Sequence, residues 1–216
     1  MECYSTVLMP TKDKVKQQSS KATSSRNPCD TAVTALRTPL KSDRSTTFAA
    51  IDFETASYSP DSACAVGLVV VKGSRIIRRE NHLIRPPDRR FDFTYIHGLT
   101  WEDVRNAPTF AELWPTLGEA LADMDFLAAH NATFDRRVLG SCCRTYRLPE
   151  PSLSFVCTVK LARTLWSLRP AKLPDVCRHL EIPLDHHEAG SDAEACARIV
   201  IEARKKGWEW SSSRVG

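Results

Sequence analysis

The 216-residue sequence lacks any run approaching the ~20 apolar residues that a bilayer-spanning helix needs, so a transmembrane helix is excluded. It has no signal peptide, and its eight cysteines include no C-x-x-C pair, which argues against a secreted disulfide scaffold and a zinc ribbon. A reducing cytoplasm is the expected location. What is present, 42% hydrophobic and 26% charged residues, is the balance of a soluble globular chain. The length suits one domain with an appendage.

Basic charge is scarce where a polyanion would need it. Residues 1–47 hold eight Lys/Arg against four acids, a net of +4 that equals the whole chain's, so residues 48–216 are neutral in sum. If that part binds nucleic acid, local cation patches must do it, because a bulk basic field is absent. Residues 1–47 are rich in Ser, Thr and Lys, show no sustained apolar period and read as a disordered basic tail. Three Arg and four acids do not suit a transit peptide, and Met9 is an alternative start.

From Phe48 the texture changes. FAAIDFET (48–55), SACAVGLVVV (62–71) and RIIRRENHLIRP (75–86) read as three strands, the second apolar on both faces and therefore internal, with a short turn at Lys72-Gly73. Thr109 and Glu112 form a capping box ahead of Phe110, Leu113, Trp114, Leu117 and Leu121 at helical spacing, and Pro115 should kink or restart that helix. DFLAA (125–129) reads as a short buried strand leading through HNATFD into a helix of about ten residues. Further helices are expected over 158–166, over 172–180 and from Ser191, whose partner Glu194 offers a second S-x-x-E box, to about Lys206. Strands followed by alternating helix and strand describe an α/β fold with a mixed sheet.

Alternation along a strand places Phe48, Ala50, Asp52 and Glu54 on one face. Two carboxylates thus project side by side, and such a pair either raises its members' pKa values or is held by a cation such as Mg²⁺. Alone, a D-x-E at a strand end is equally explained by a solvated turn. Asp135 and Asp192 each fall in a helix's first turn, where an acid is favourable without any ligand, and His187 precedes the latter in a loop. Together they supply the parts of a two-metal phosphoryl-transfer site: four carboxylates to fix ions and an imidazole to take a water's proton.

The elements Asp52-x-Glu54-Thr55, Ile96-His97-Gly98-Leu99-Thr100, His130-Asn131-x-x-Phe134-Asp135 and His187-x-Ala189-x-x-Asp192-Ala193 occur in this order. They resemble the motifs of the DEDDh (DnaQ-like) 3′–5′ exonuclease family, of the exodeoxyribonuclease X or DNA polymerase III epsilon-subunit type. The resemblance covers residues 48 to about 204. It implies a ribonuclease H-like fold, a five-stranded mixed sheet flanked by helices, and two Mg²⁺ or Mn²⁺ ions. By it, Asp52 bridges both ions, Glu54 and Asp192 complete the site of the ion that activates water, and Asp135 holds the second, largely through water. His187 is then the general base; it is chosen over His186 because the family's histidine stands five residues before the last aspartate. The Thr55 backbone and His97 would seat the 3′-terminal nucleotide, and Asn131 would support the active-site loop.

Residues 48–216 are therefore expected to form an exonuclease domain acting at the 3′ end of single-stranded DNA. The short segment after the last helix favours a stand-alone enzyme, with polymerase association as the other possibility. An exoribonuclease of the same family and a non-catalytic nucleic-acid-binding module are the alternatives. Arg136, Arg137, Lys160, Arg163, Arg169, Lys172 and Arg178 are candidate phosphate contacts, although each alone also reads as a solvated helix charge. Trp166, Trp208 and Trp210 read as rim or core residues, and Cys64, Cys157, Cys177 and Cys196 as small core residues.

Overall fold

The computed structural model describes residues 45–211. The tail expected over 1–47 lies outside these residues except at its end, where Thr47 already belongs to the first strand. Three antiparallel strands come first: β1 (Thr47–Thr55), β2 (Ala63–Lys72) and β3 (Arg75–Leu83). Gly73, at φ 64°, supplies the left-handed backbone that the β2–β3 turn requires. Two one-turn helices follow, α1 (Thr94–His97) and α2 (Trp101–Val104), neither of which has enough residues to show a helical period in the sequence. The remaining elements are α3 (Phe110–Leu121), β4 (Phe126–Ala129), α4 (Thr133–Thr145), β5 (Phe155–Cys157), α5 (Thr158–Leu165), α6 (Leu173–Leu180) and α7 (Ala189–Lys205).

The sheet order is β3-β2-β1-β4-β5, with β4 and β5 parallel to β1, so the expected mixed five-stranded sheet is present. Each face is apolar. Phe48 and Ala50 join the core under α5, α6 and α7, whereas Ala49, Ile51 and Phe53 join the core under α3 and α4. Because side chains alternate, Asp52 and Glu54 continue the face that α7 covers. Trp208 and Trp210 fold back onto Phe126 of that same core, with ring centroids 6.1 and 4.7 Å away.

Two local expectations are corrected. The Thr109–Glu112 capping box forms, but α3 does not restart at Pro115: it is one helix through that residue. Proline removes one ladder hydrogen bond, and the burial of Phe110, Leu113, Leu117 and Leu121 along one face outweighs that loss. The last helix starts before Ser191. Glu188 is its N-cap, accepting from the Gly190 and Ser191 N–H groups at 3.2 and 2.6 Å. Ser191 Oγ instead accepts from the Asp185 N–H at 2.8 Å, and Glu194 pairs with Arg79 and Arg198. A glutamate reaching two and three residues ahead satisfies the same orphan donors that the S-x-x-E box would have served.

One glycine decides how closely α7 approaches the sheet. Gly67 on β2 pairs in register with Asp52, and a Cβ built on it would lie 1.9 Å from the Ala189 carbonyl oxygen. Only a residue without a side chain lets the first turn of α7 rest on β2 beside Asp52.

Candidate active site

The end of β1 and the first turn of α7 meet. Carboxylate oxygens of Asp52, Glu54 and Asp192 all lie within 4.8 Å of one another. Asp192 is 3% exposed and is fixed by the His187 N–H at 3.2 Å and by His186 Nδ1 at 2.9 Å. Asp135 approaches from α4. Pairing of β1 with β4 runs only from Phe48 to Ala50, and beyond it Asp135 Oδ1 accepts the Phe53 N–H at 3.1 Å. Its other oxygen, Oδ2, is buried and has no hydrogen-bond partner among the described residues.

These carboxyl groups are costly to ionise together. Burial, followed by the charges of Asp135, Asp192, Glu54 and Glu188, pushes Asp52 well above the usual carboxylate range. Burial and the charges of Asp192, Asp135 and Glu188 push Glu54 up to about 8. Burial raises Asp135 to about 7 against the lowering effect of its Phe53 hydrogen bond. Asp192 is raised by burial, with His186 opposing. An all-oxygen donor set with like charges and an orphaned buried oxygen fits hard divalent cations, which neutralise the charges and accept oxygen ligands. Among the described residues, the groups able to hold a metal contain no cysteine.

His187 sits at φ 72°, a left-handed conformation that stacks its ring on His186 at 3.7 Å between centroids. The His187 ring has no hydrogen-bond partner among the described residues. Burial and the neighbouring His186 lower its pKa while Asp192 opposes them, so it is neutral near pH 7 and able to accept a proton. His97 is held in one tautomer: its Nδ1 accepts the Leu99 N–H at 3.1 Å, leaving Nε2–H to donate to the Thr55 carbonyl at 3.2 Å. Asn131 turns the chain between β4 and α4 at φ 67°.

Asp52, Glu54, Thr55, His97, Asn131, His187 and Asp192 line a single open cavity of about 910 Å³, and Asp135 lies behind its floor. The sequence reading quoted His130 only as part of a motif and gave it no role, weighed His186 only to set it aside for His187, and did not mark Glu188 at all. His130 lines the cavity and joins three segments. The Ala171 carbonyl can only accept, so His130 Nε2 carries the proton toward it at 3.0 Å, and Nδ1 accepts the Thr158 hydroxyl at 2.8 Å. Burial, chiefly, pushes its pKa down to about 4. The adjacent His-His pair was the only signal for His186, and nothing in local spacing distinguished Glu188 as a cap.

A mixed sheet that presents carboxylates at the end of its central strand, opposite an acid from a helix laid across it, defines a ribonuclease H-like nuclease fold. Residues 49–200 match the RNase_T exonuclease family, and the chain belongs to that family. It is 31% identical over 160 residues to the PolC-type DNA polymerase III of Thermotoga maritima, a match spanning 72% of this chain but 12% of that protein's length. It is 29% identical over 167 residues to exodeoxyribonuclease 10 of Escherichia coli K12, spanning 73% of this chain and 69% of the relative. The structure of exonuclease X in complex with 5′ overhanging duplex DNA superposes with a TM-score of 0.62 at 26% identity, covering 75% of this chain and 94% of that one. The nuclease domain of 3′hExo, a DEDDh family member bound to rAMP, shares the fold at a TM-score of 0.66 and 18% identity, covering 78% of this chain and 96% of that one. Among the described residues, no helix is long and apolar enough to cross a membrane.

Proposed function

We propose that residues 48–216 form a divalent-metal-dependent 3′–5′ exonuclease domain that hydrolyses phosphodiester bonds at the 3′ end of DNA, single-stranded DNA being preferred. The observation that carries this reading is the convergence of Asp52, Glu54 and Asp192 within 4.8 Å, with Asp135 Oδ2 unpartnered behind them. The kinship with exodeoxyribonuclease 10 supports DNA as the substrate. The names of the PolC-type relatives support a polymerase as partner, and a cytoplasmic location belongs to the same reading.

In this reading Asp52, Glu54 and Asp192 would hold one divalent ion, Mg²⁺ or Mn²⁺, and Asp135 together with Asp52 would hold a second. The chemistry such ions supply is polarisation of the phosphate and a lowered pKa for the attacking water. The water oxygen bonds to phosphorus, the bond to the 3′ oxygen of the preceding nucleotide breaks, and His187 takes the water's proton. His187 rather than His186 is assigned this role because its ring is free, whereas His186 is held by Asp192 at 2.9 Å. His97 and the Thr55 backbone, locked together at 3.2 Å, seat the terminal nucleotide, and Asn131 shapes the loop under it.

The test is a gel assay on 5′-labelled single-stranded DNA and matched RNA in Mg²⁺, Mn²⁺ and EDTA, comparing wild type with Asp52→Ala, His187→Ala and His186→Ala. A metal-dependent ladder shortening from the 3′ end of DNA, lost in Asp52→Ala and His187→Ala, is expected. Preference for RNA would move the assignment to an exoribonuclease. Intact DNA and RNA in every lane would leave a binding module with this fold. Greater loss in His186→Ala than in His187→Ala would exchange the two histidines.

A further inference from the structure

The cavity that holds the carboxylates has a second wall. Lys160 and Arg163 of α5 and Lys172 at the start of α6 line it, all three exposed. Among the described residues none of the three side chains has a hydrogen-bond or ion-pair partner. Elsewhere on the surface Arg79, Arg85, Arg90, Arg105, Arg144 and Arg178 each sit against a carboxylate, whereas Arg136, Arg137 and Arg169 have none among the described residues but do not line the cavity. The cavity cations therefore do not neutralise the acids across from them, although both sets share one solvent space.

Two of the three stand where a cation is intrinsically unfavourable. Lys160 lies in the first turn of α5, which has no acid there, and Lys172 is the N-cap residue of α6. Helix N-termini carry partial positive charge and favour acids, so these positions hold cations at an electrostatic cost that an anion lowers, a cost fully open at α5 and partly met at α6 by Asp175 in its first turn. Two such helix ends and three unpaired cations on one wall form a concentrated positive surface in a domain with no bulk basic field. Apolar Phe93 and Ile96 line the cavity as well, whereas the α5–α6 side offers charge.

We infer that Lys160, Arg163 and Lys172 form a sequence-independent phosphate track, which holds the backbone of the nucleotides preceding the scissile one and leads the strand in over α5 and α6. This deepens the exonuclease reading and rests on it for the strand's direction. The three cations act as positioning residues, since backbone contacts fix register without reading bases.

The experiment measures binding of a 5′-fluorescein-labelled oligothymidylate to the full chain by anisotropy over a range of salt concentrations, in EDTA so that binding is read without turnover. It compares wild type, the triple variant K160Q/R163Q/K172Q and the charge-conserving triple K160R/R163K/K172R. In the glutamine triple, Kd should rise roughly tenfold, and the slope of log K against log salt should be shallower by about 2, near 0.7 per lost phosphate contact. The charge-conserving triple should retain affinity and slope. In Mg²⁺ the glutamine triple's defect should fall more on KM than on kcat. A glutamine triple within twofold of wild type with an unchanged slope overturns the track, as does equal loss in both triples. Wild type that binds with this charge dependence yet shortens no DNA in Mg²⁺ supports the track and sinks the exonuclease reading. DNA shortening with an indifferent glutamine triple does the reverse.

Discussion

Two buried polar regions border the same cavity and behave in opposite ways. His130 has both ring nitrogens satisfied, by Thr158 and by the Ala171 carbonyl, and joins the end of β4 to α5 and to the segment before α6. The carboxylates of Asp52, Glu54 and Asp192 crowd one another, and Asp135 keeps an unpartnered buried oxygen. A satisfied buried group stabilises the fold and needs nothing further. An unsatisfied cluster of one sign weakens the fold and gains most from whatever binds it. The difference teaches which polar residues here are scaffold and which are site.

The most forceful way to break this comparison is to remove charge from the site. Asp52→Asn should lower exonuclease activity by about 10³-fold or more, since metal stabilisation of the transition state is worth several kcal/mol and each decade is 1.36 kcal/mol. In EDTA the same variant should melt no lower than wild type, because it replaces a buried carboxyl whose ionisation the metal-free fold disfavours with a neutral isostere. Loss of both activity and metal-free stability would assign Asp52 to the scaffold.

Gly67→Ala tests whether the site depends on the approach of α7. The added methyl meets the Ala189 carbonyl, so α7 must shift and carry Asp192 away from Asp52. A stability loss of roughly 1–3 kcal/mol is expected from overpacking. The rise in melting temperature on adding Mg²⁺ should disappear, while the low His130 pKa, followed by NMR, persists. An unchanged Mg²⁺ response would show that Asp192 is not needed to hold the ion.

His130→Ala probes the other side. It leaves the Ala171 carbonyl without its partner, while the Thr158 hydroxyl can turn to the Ala129 carbonyl at 3.3 Å, so urea denaturation should report a loss of about 1–3 kcal/mol, the cost of one unsatisfied group. A change under about 0.5 kcal/mol, typical of a surface position, would remove His130 from the scaffold.

The gentlest test is pH, where the two regions have opposite signs. Glu54 near 8 and Asp135 near 7 hold protons in the metal-free fold that the unfolded chain has released, so their contribution is lost as pH rises through those values. In EDTA, stability should therefore fall between about pH 5 and pH 8, and Mg²⁺ should flatten that slope by binding the ionised form. His130, pushed down to about 4, contributes stability above its unfolded value near 6.5 that is lost as pH falls toward 4. Melting curves across pH, with and without Mg²⁺ and in His130→Ala, separate the two slopes.

Much of this was legible without coordinates. The meander, the helical cap at Thr109 and the buried DFLAA strand follow from local alternation and capping chemistry, and the ordered motifs pointed to the family. The restart expected at Pro115 and the cap expected at Ser191 fail for separate reasons: burial of a helix face overrides one missing backbone bond, and a longer acid can cap from farther back. α1, α2 and β5 are too short for any period to show.

By itself the sequence determined that Asp52 and Glu54 share a face, because strand alternation is a property of adjacent residues. It also determined that Asp135 and Asp192 open helices, and that the charge of residues 48–216 is balanced. Only the tertiary structure decided that α7 crosses β2 at Gly67 and brings Asp192 to Asp52, and that Asp135 takes the Phe53 N–H beyond the last β1–β4 pair. It also decided which three of seven candidate cations share the cavity. Backbone periodicity acts over a few residues, whereas proximity between distant segments is set by which surfaces can close together without a side chain between them.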